Sequence, residues 1–156
     1  MTIVSNYDGK KVYLYTAQKL FSGDFKLPEP YFVCTFFFHN TNWDKDDLAK
    51  ILGRLIKGGC VYFIFHGIRC EEAHDIADAV ILELQSSQVT DENVKMTTWH
   101  EKESLEDVVF FTLSAALPAE DYEDSFSSYL IFSFGSSEEN TRVRDLLNDI
   151  DGVIKR

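Results

Sequence analysis

Cysteine is scarce in this chain: Cys34, Cys60 and Cys70 are the only three. Their number is odd and their spacing shows no pairing pattern, which excludes a disulfide-stapled scaffold and points to a reduced, cytoplasmic protein. Long apolar runs are missing too. No stretch approaches the roughly 20 residues needed to span a bilayer, and the opening MTIVSNYDGKK lacks an apolar core of signal-peptide length. Positive charge is in short supply, with 15 Lys and Arg against 26 Asp and Glu, a net charge of −11 and a pI ≈ 4.7. An acidic surface repels phosphate backbones and anionic lipid. Nucleic acid and membrane are therefore not expected as partners, whereas a basic protein would be attracted. The same charge also keeps an aromatic-rich protein soluble.

Catalytic signatures are absent as well. There is no G-x-G-x-x-G after a strand, no Walker loop and no G-x-S-x-G elbow. Phe134-Gly135-Ser136-Ser137 resembles a phosphate-cradling turn, but Glu138 and Glu139 follow at once and would repel a phosphate on that helix N-terminus.

What is present is core material. Apolar residues make up 45% of the 156, including 13 Phe and 7 Tyr, enough for one domain with a sizeable interior. The organising stretch is residues 60–84, CVYFIFHGIRCEEAHDIADAVILEL. An unbroken apolar run at 61–65 turns at His66-Gly67 into a helix with apolar positions Ala73, Ile76, Ala77, Val80, Ile81 and Leu84, ending near residues 85–87. Three similar units surround it. Residues 31–38, YFVCTFFF, read as a strand buried on both faces. A helix follows, capped by Asp44, striped by Leu48, Ile51, Leu52, Leu55 and Ile56, and stopped by Gly58-Gly59. Residues 93–99 read as a weaker, edge-like strand before a helix opened by Ser104 that buries Leu105, Val108, Val109, Thr112, Leu113 and Ala116. Residues 129–134 form the fourth strand, and a last helix presents Val143, Leu146, Leu147, Ile150, Val153 and Ile154, with Lys155 and Arg156 suiting its C-terminus.

The expected fold is thus α/β: one domain over 1–156, three-layered and doubly wound in the Rossmann or flavodoxin manner, with a mostly parallel sheet. It has four main strands in four βα units over 31–156. Residues 1–30 are an irregular segment with one short strand at 11–15, at an edge or in a hairpin, and a loop punctuated by Gly23, Pro28 and Pro30. Residues 119–128 read as an exposed acidic loop.

Ligands of such sheets bind outside the carboxyl ends of the strands. Four turns form that rim: 39–42, 66–70, 100–102 and 135–137. Three of the four histidines, His39, His66 and His100, directly follow a strand, and His74 lies one helical turn past Cys70. With Asn40, Glu101 and Ser136 they define a candidate rim site. His66, Cys70 and His74 supply donors for a tetrahedral zinc with an open position, with Glu71, Glu72 or Glu101 as base. Against this, Cys70 continues the buried stripe of Ala73 and Ala77, and H-x3-C-x3-H is no established signature. Trp43 and Trp99 sit near rim turns, where tryptophan either anchors a partner or closes a core. Asp121, Tyr122 and Asp124 in the acidic loop offer a docking strip for a basic protein.

Nothing here commits the chain to catalysis. The favoured expectation is a non-enzymatic acidic module that engages another protein and needs no cofactor. The alternatives are a zinc-type enzyme or metal-binding protein built on the His/Cys cluster, and a small-molecule sensor using Asn40, Thr98 and Ser136. An edge strand at 93–99 leaves pairing with a second copy open.

Overall fold

The apolar runs become the inner strands of one sheet. A computed structural model of the chain describes residues 1–20, 26–40, 43–85 and 88–155. Gly23, Thr41, Asn42, Ser86, Ser87 and Arg156, assigned above to turns and helix ends, lie outside the described residues. The strands are β1 (Thr2–Tyr7), β2 (Lys10–Ala17), β3 (Tyr31–Phe38), β4 (Cys60–Gly67), β5 (Met96–His100) and β6 (Phe126–Phe134). The helices are α1 (Lys45–Gly58), α2 (Cys70–Leu84), α3 (Leu105–Ser114), α4 (Glu120–Glu123), α5 (Ser137–Asn148) and α6 (Ile150–Ile154). Spatial order in the sheet is β1-β2-β6-β3-β4-β5. Among the described residues only the β1–β2 pair is antiparallel.

The side-chain alternation of a strand divides the interior in two. Phe32, Cys34, Phe36 and Phe38 of β3 enter a core shared with Leu48, Ile51, Leu52 and Leu55 of α1 and Cys70, Ala73 and Ala77 of α2. Val33 and Phe37 enter a second core with Val108, Val109 and Leu113 of α3, Val143 and Leu147 of α5, and Ile150 and Val153 of α6. Helices therefore cover both faces of β3, β4 and β6, and their near-continuous apolar sequences follow from that double burial. In the first core Phe36 stacks on Phe132 and Phe65, with ring centroids 4.8 and 5.3 Å apart. In the second, Thr35 is fully buried yet satisfied, its hydroxyl bonded to that of Thr112 at 2.8 Å.

Helix ends follow their expected caps. Asp44 accepts from Asp46 and Asp47 N–H, Ser104 from Asp107 N–H, and Gly59 takes the left-handed conformation, φ 114°, after α1. The six residues expected to face inward from α3 and its extension are all buried.

Four expectations need correction. Residues 1–17 are not irregular: they form a β1–β2 hairpin closed by Asp8-Gly9, with φ 52° and 77°. An Asp-Gly pair is a strong signal for such a two-residue turn. As a result β2 is internal, paired with β6, and β1 is the edge. The strand at 93–99 begins only at Met96 and runs through His100. The acidic loop contains the helical turn α4, and β6 starts at Phe126. The last helix breaks at Asp149, whose side chain accepts from Gly152 N–H and opens α6. No helix among the described residues is long and apolar enough to cross a membrane.

Candidate functional site

The chain steps from β3 outward to β4 and β5, then returns to lay β6 on the other side of β3. Connections leaving β3 and β6 therefore diverge, and the crevice outside their carboxyl ends is the switch point where open α/β sheets bind ligands. His39 and Asn40 follow β3 there, and Gly135 and Ser136 follow β6. Asn40 ties the crevice to the end of β2, donating to Gln18 O at 3.0 Å.

Beneath the crevice runs a hydrogen-bond chain whose direction can be deduced. Asn140 of α5 donates from Nδ2 to Ala17 O and Gly135 O, both at 3.1 Å. Carbonyls only accept, so the Asn140 amide is fixed, and its Oδ1 faces Ser133 Oγ at 2.7 Å. An amide oxygen also only accepts; the Ser133 hydroxyl must donate to it. Ser133 Oγ then accepts from His39 Nε2–H, at 2.8 Å. The neutral tautomer of His39 is thereby set, and its Nδ1 carries a lone pair. That lone pair faces Glu139 Oε2 at 3.9 Å. Glu139 is held by a reciprocal capping box with Ser136, and chiefly the Ser136 backbone N–H lowers its carboxyl pKa.

Ser133 and His39 look like a nucleophile–base pair by distance. The chemistry does not follow, because Ser133 is fully buried and its proton points to Asn140.

The His39 side chain is 8% exposed, and burial lowers its pKa from 6.5 against the opposing pull of Glu139. His66 is likewise lowered by burial, while its Nε2 lies 2.7 Å from Glu103 O. Between these lowered values and 6.5 the unfolded chain binds more protons than the folded one. Stability from these groups is therefore complete above 6.5 and lost as pH falls through the folded values. Urea midpoints measured from about pH 5 to 7.5 are expected to rise with pH. Nitrogen NMR of His39 is expected to report a protonated Nε2 and a bare Nδ1 at neutral pH; the reverse pattern would contradict the deduced chain.

The structure brings together only part of the predicted constellation. His39, His66 and His100 line the α3/α5 side of the rim, with Phe37 beneath His39 and His66 and His100 packed on Phe111. Cys70 and His74 lie on the other side of the sheet. Cys70 is buried in the α1/α2 core, where desolvation raises its thiol pKa. His74 sits against Trp99 and Asp78. The His66, Cys70, His74 set thus does not converge, and no group of three or more His, Cys, Asp or Glu with metal-binding geometry occurs among the described residues. Glu101 is exposed beside His100 and Ser136 caps α5.

The proposed partner contacts also separate. Trp43 is buried on Phe38 beneath the Arg69 guanidinium, 3.7 Å from its ring, and closes the core; its indole N–H has no acceptor among the described residues. Trp99 stays 43% exposed at the rim. Asp121 and Asp124 are exposed but flank the start of β6, at the far end of the sheet. Tyr122 between them is half-buried on Tyr31, with its hydroxyl donating to Asn93 O, so it anchors the chain's own turn.

Parallel topology adds a feature that no local motif displays. Each main helix starts at the same end of the sheet, and each first turn is acidic: Asp46 and Asp47, Glu71 and Glu72, Glu106 and Asp107, Glu138 and Glu139. Individually these residues suit helix dipoles. Together, with Glu101 and Glu103, they ring one rim, where Ile68 and Trp99 stand out, each 43% exposed. The sequence alone does not mark Asn140 or Ser133, and it marks Glu139 only as a charge that repels phosphate. The available signal was polar residues at inward positions: Asn140 leads the Val143, Leu147 stripe, and Ser133 interrupts YLIFSF.

Residues 13–150 match the model of a protein family described as a domain of unknown function, DUF7684. No curated protein matches the chain.

Proposed function

We propose that the chain, which belongs to the DUF7684 family, is a non-enzymatic binding module whose acidic rim receives a basic protein. What carries the reading is the convergence of four acidic helix starts on one rim that also bears exposed Ile68 and Trp99. An apolar anchor inside a charged ring is the usual build of a binding hot spot, and the ring steers an oppositely charged partner. The reading rests on a three-layer, doubly wound arrangement, supported by the two cores and the reversal of strand order at β6 and β3. A reducing, cytoplasmic setting accords with three buried free thiols.

The test is affinity capture with the wild-type chain and with the triple variant Glu71→Lys, Glu101→Lys, Asp107→Lys, all exposed positions. A partner of basic pI should be retained by the wild type, released by moderate salt, and bound at least about tenfold more weakly by the triple variant and by Trp99→Ala. Capture that ignores both salt and charge reversal would remove the proposal.

A second reading, a small-molecule sensor, is favoured by the bare His39 Nδ1 facing Glu139. Two acceptors at that spacing suit a ligand carrying an N–H donor. Thermal shifts by amine-bearing metabolites, abolished in His39→Phe, would support it.

A further inference from the structure

Away from the rim, residues of α1 and α2 line an open groove of ≈ 650 Å³. Its apolar surface comes from Ala49 and Gly53 of α1 and from Val80 and Leu84 of α2. Gly53 is unusual on physical grounds. It lies inside a helix, where glycine costs about 1 kcal/mol relative to alanine. Native packing does not demand it, since an added Cβ would meet only Leu84 Cδ1 at 3.9 Å, ordinary contact. The missing side chain keeps the groove open.

Its edge is cationic. Lys50, Arg54 and Lys57 follow one another at i, i+4 and i+7 on α1 and line the same groove, with Glu83 on the α2 side. In a chain of net charge −11, three neighbouring cations above an apolar floor run against the general composition. Of the rim carboxylates, Asp46 and Asp47 lie one helical turn before Lys50, whereas those of the other helices act weakly on Lys57, because exposed charges are screened beyond about 8 Å at physiological salt.

The geometry points to a second docking surface, in which the α1/α2 groove receives an acidic amphipathic helix from another protein. Leucine-sized side chains would lie on Gly53 and Ala49, and glutamates along the same helix would face Lys50 and Lys57. Apolar anchors at i, i+3, i+4 and i+7 are the way helices occupy such grooves. Charge complementarity selects an acidic occupant over a basic one, although the protein as a whole is acidic. This surface is independent of the rim and calls for a partner of opposite charge.

The probe is a synthetic 16-residue peptide with leucines at that helical spacing and glutamates elsewhere. Its comparisons are a version with every leucine replaced by serine and one with every glutamate replaced by lysine. Binding is read by fluorescence anisotropy. Wild-type protein should bind the Leu/Glu peptide and lose at least about tenfold in affinity to the serine version. The double variant Lys50→Glu, Lys57→Glu, at two exposed positions, should weaken it by about tenfold. Gly53→Leu, which fills the floor with a good helix former, should abolish it while the urea midpoint confirms an intact fold. Equal affinity for the leucine and serine peptides, no effect of either variant, or no binding of the Leu/Glu peptide would each overturn the assignment. Any binding of the lysine peptide should survive Gly53→Leu; its loss in that variant would overturn the acidic preference of the groove.

Discussion

Replacing Gly67 by alanine is expected to destabilise the fold by about 3–5 kcal/mol, much of the stability of an ordinary domain. Gly67 ends β4 with φ 98°, a conformation that costs any residue bearing a Cβ. The space is also taken. A Cβ built there would lie 2.1 Å from Phe38 O and 3.0 Å from Phe38 C, backbone atoms that cannot rotate away. That same carbonyl accepts from Ile68 N–H at 3.0 Å. Relief of the clash therefore breaks the bond that ties the end of β3 to the β4–α2 turn. His39 follows directly on Phe38, so the disturbance reaches the switch point. Urea unfolding measures the loss. Near-native stability in Gly67→Ala would mean that the turn has slack which its packing does not reveal.

Much of this architecture was legible because the informative signals were local. Tyr31 to Phe38 reads as a doubly buried strand, and the stripe of Leu48, Ile51, Leu52 and Leu55 as one helix face. Strand order was not legible, because it depends on which crossovers the chain takes. Without it the rim histidines could not be sorted. A residue's side of the sheet follows from its parity within a strand, and the position of helices from the crossovers. His66 points to the α3/α5 face while Cys70 and His74 ride on α2, across the sheet. Spacing in sequence suggested a cluster that the sheet itself divides. The Asp8-Gly9 turn is a local signal of a hairpin, and the hairpin puts β2 in the interior of the sheet. The acidic rim was half legible. Each helix start was visible as a capped, acidic turn, but their meeting at one end needs parallel strands to align them.

Asn140→Ala is expected to lower stability by about 2–4 kcal/mol and to move the proton of neutral His39 from Nε2 to Nδ1. The first effect follows from burial. Asn140 is 7% exposed and holds three bonds, to Ala17 O, Gly135 O and Ser133 Oγ. Ala17 O keeps the Gly135 N–H at 2.9 Å, so Gly135 O and the Ser133 hydroxyl are the groups left wanting partners. The second effect follows from where the serine hydroxyl can turn. With Asn140 Oδ1 gone, the remaining hydrogen-bond partner of that hydroxyl among the described residues is His39 Nε2 at 2.8 Å. Nε2 can accept only as a lone pair, so the imidazole proton shifts to Nδ1, toward the Glu139 carboxylate 3.9 Å away. Ser133, His39 and Glu139 would then be arranged as donor, base and orienting acid, the order of a hydrolytic triad. In the native chain Asn140 holds that order reversed. Nitrogen NMR distinguishes the tautomers directly. A His39 that keeps Nε2–H in Asn140→Ala would show that Ser133 has another acceptor and that the asparagine does not set the direction of the chain.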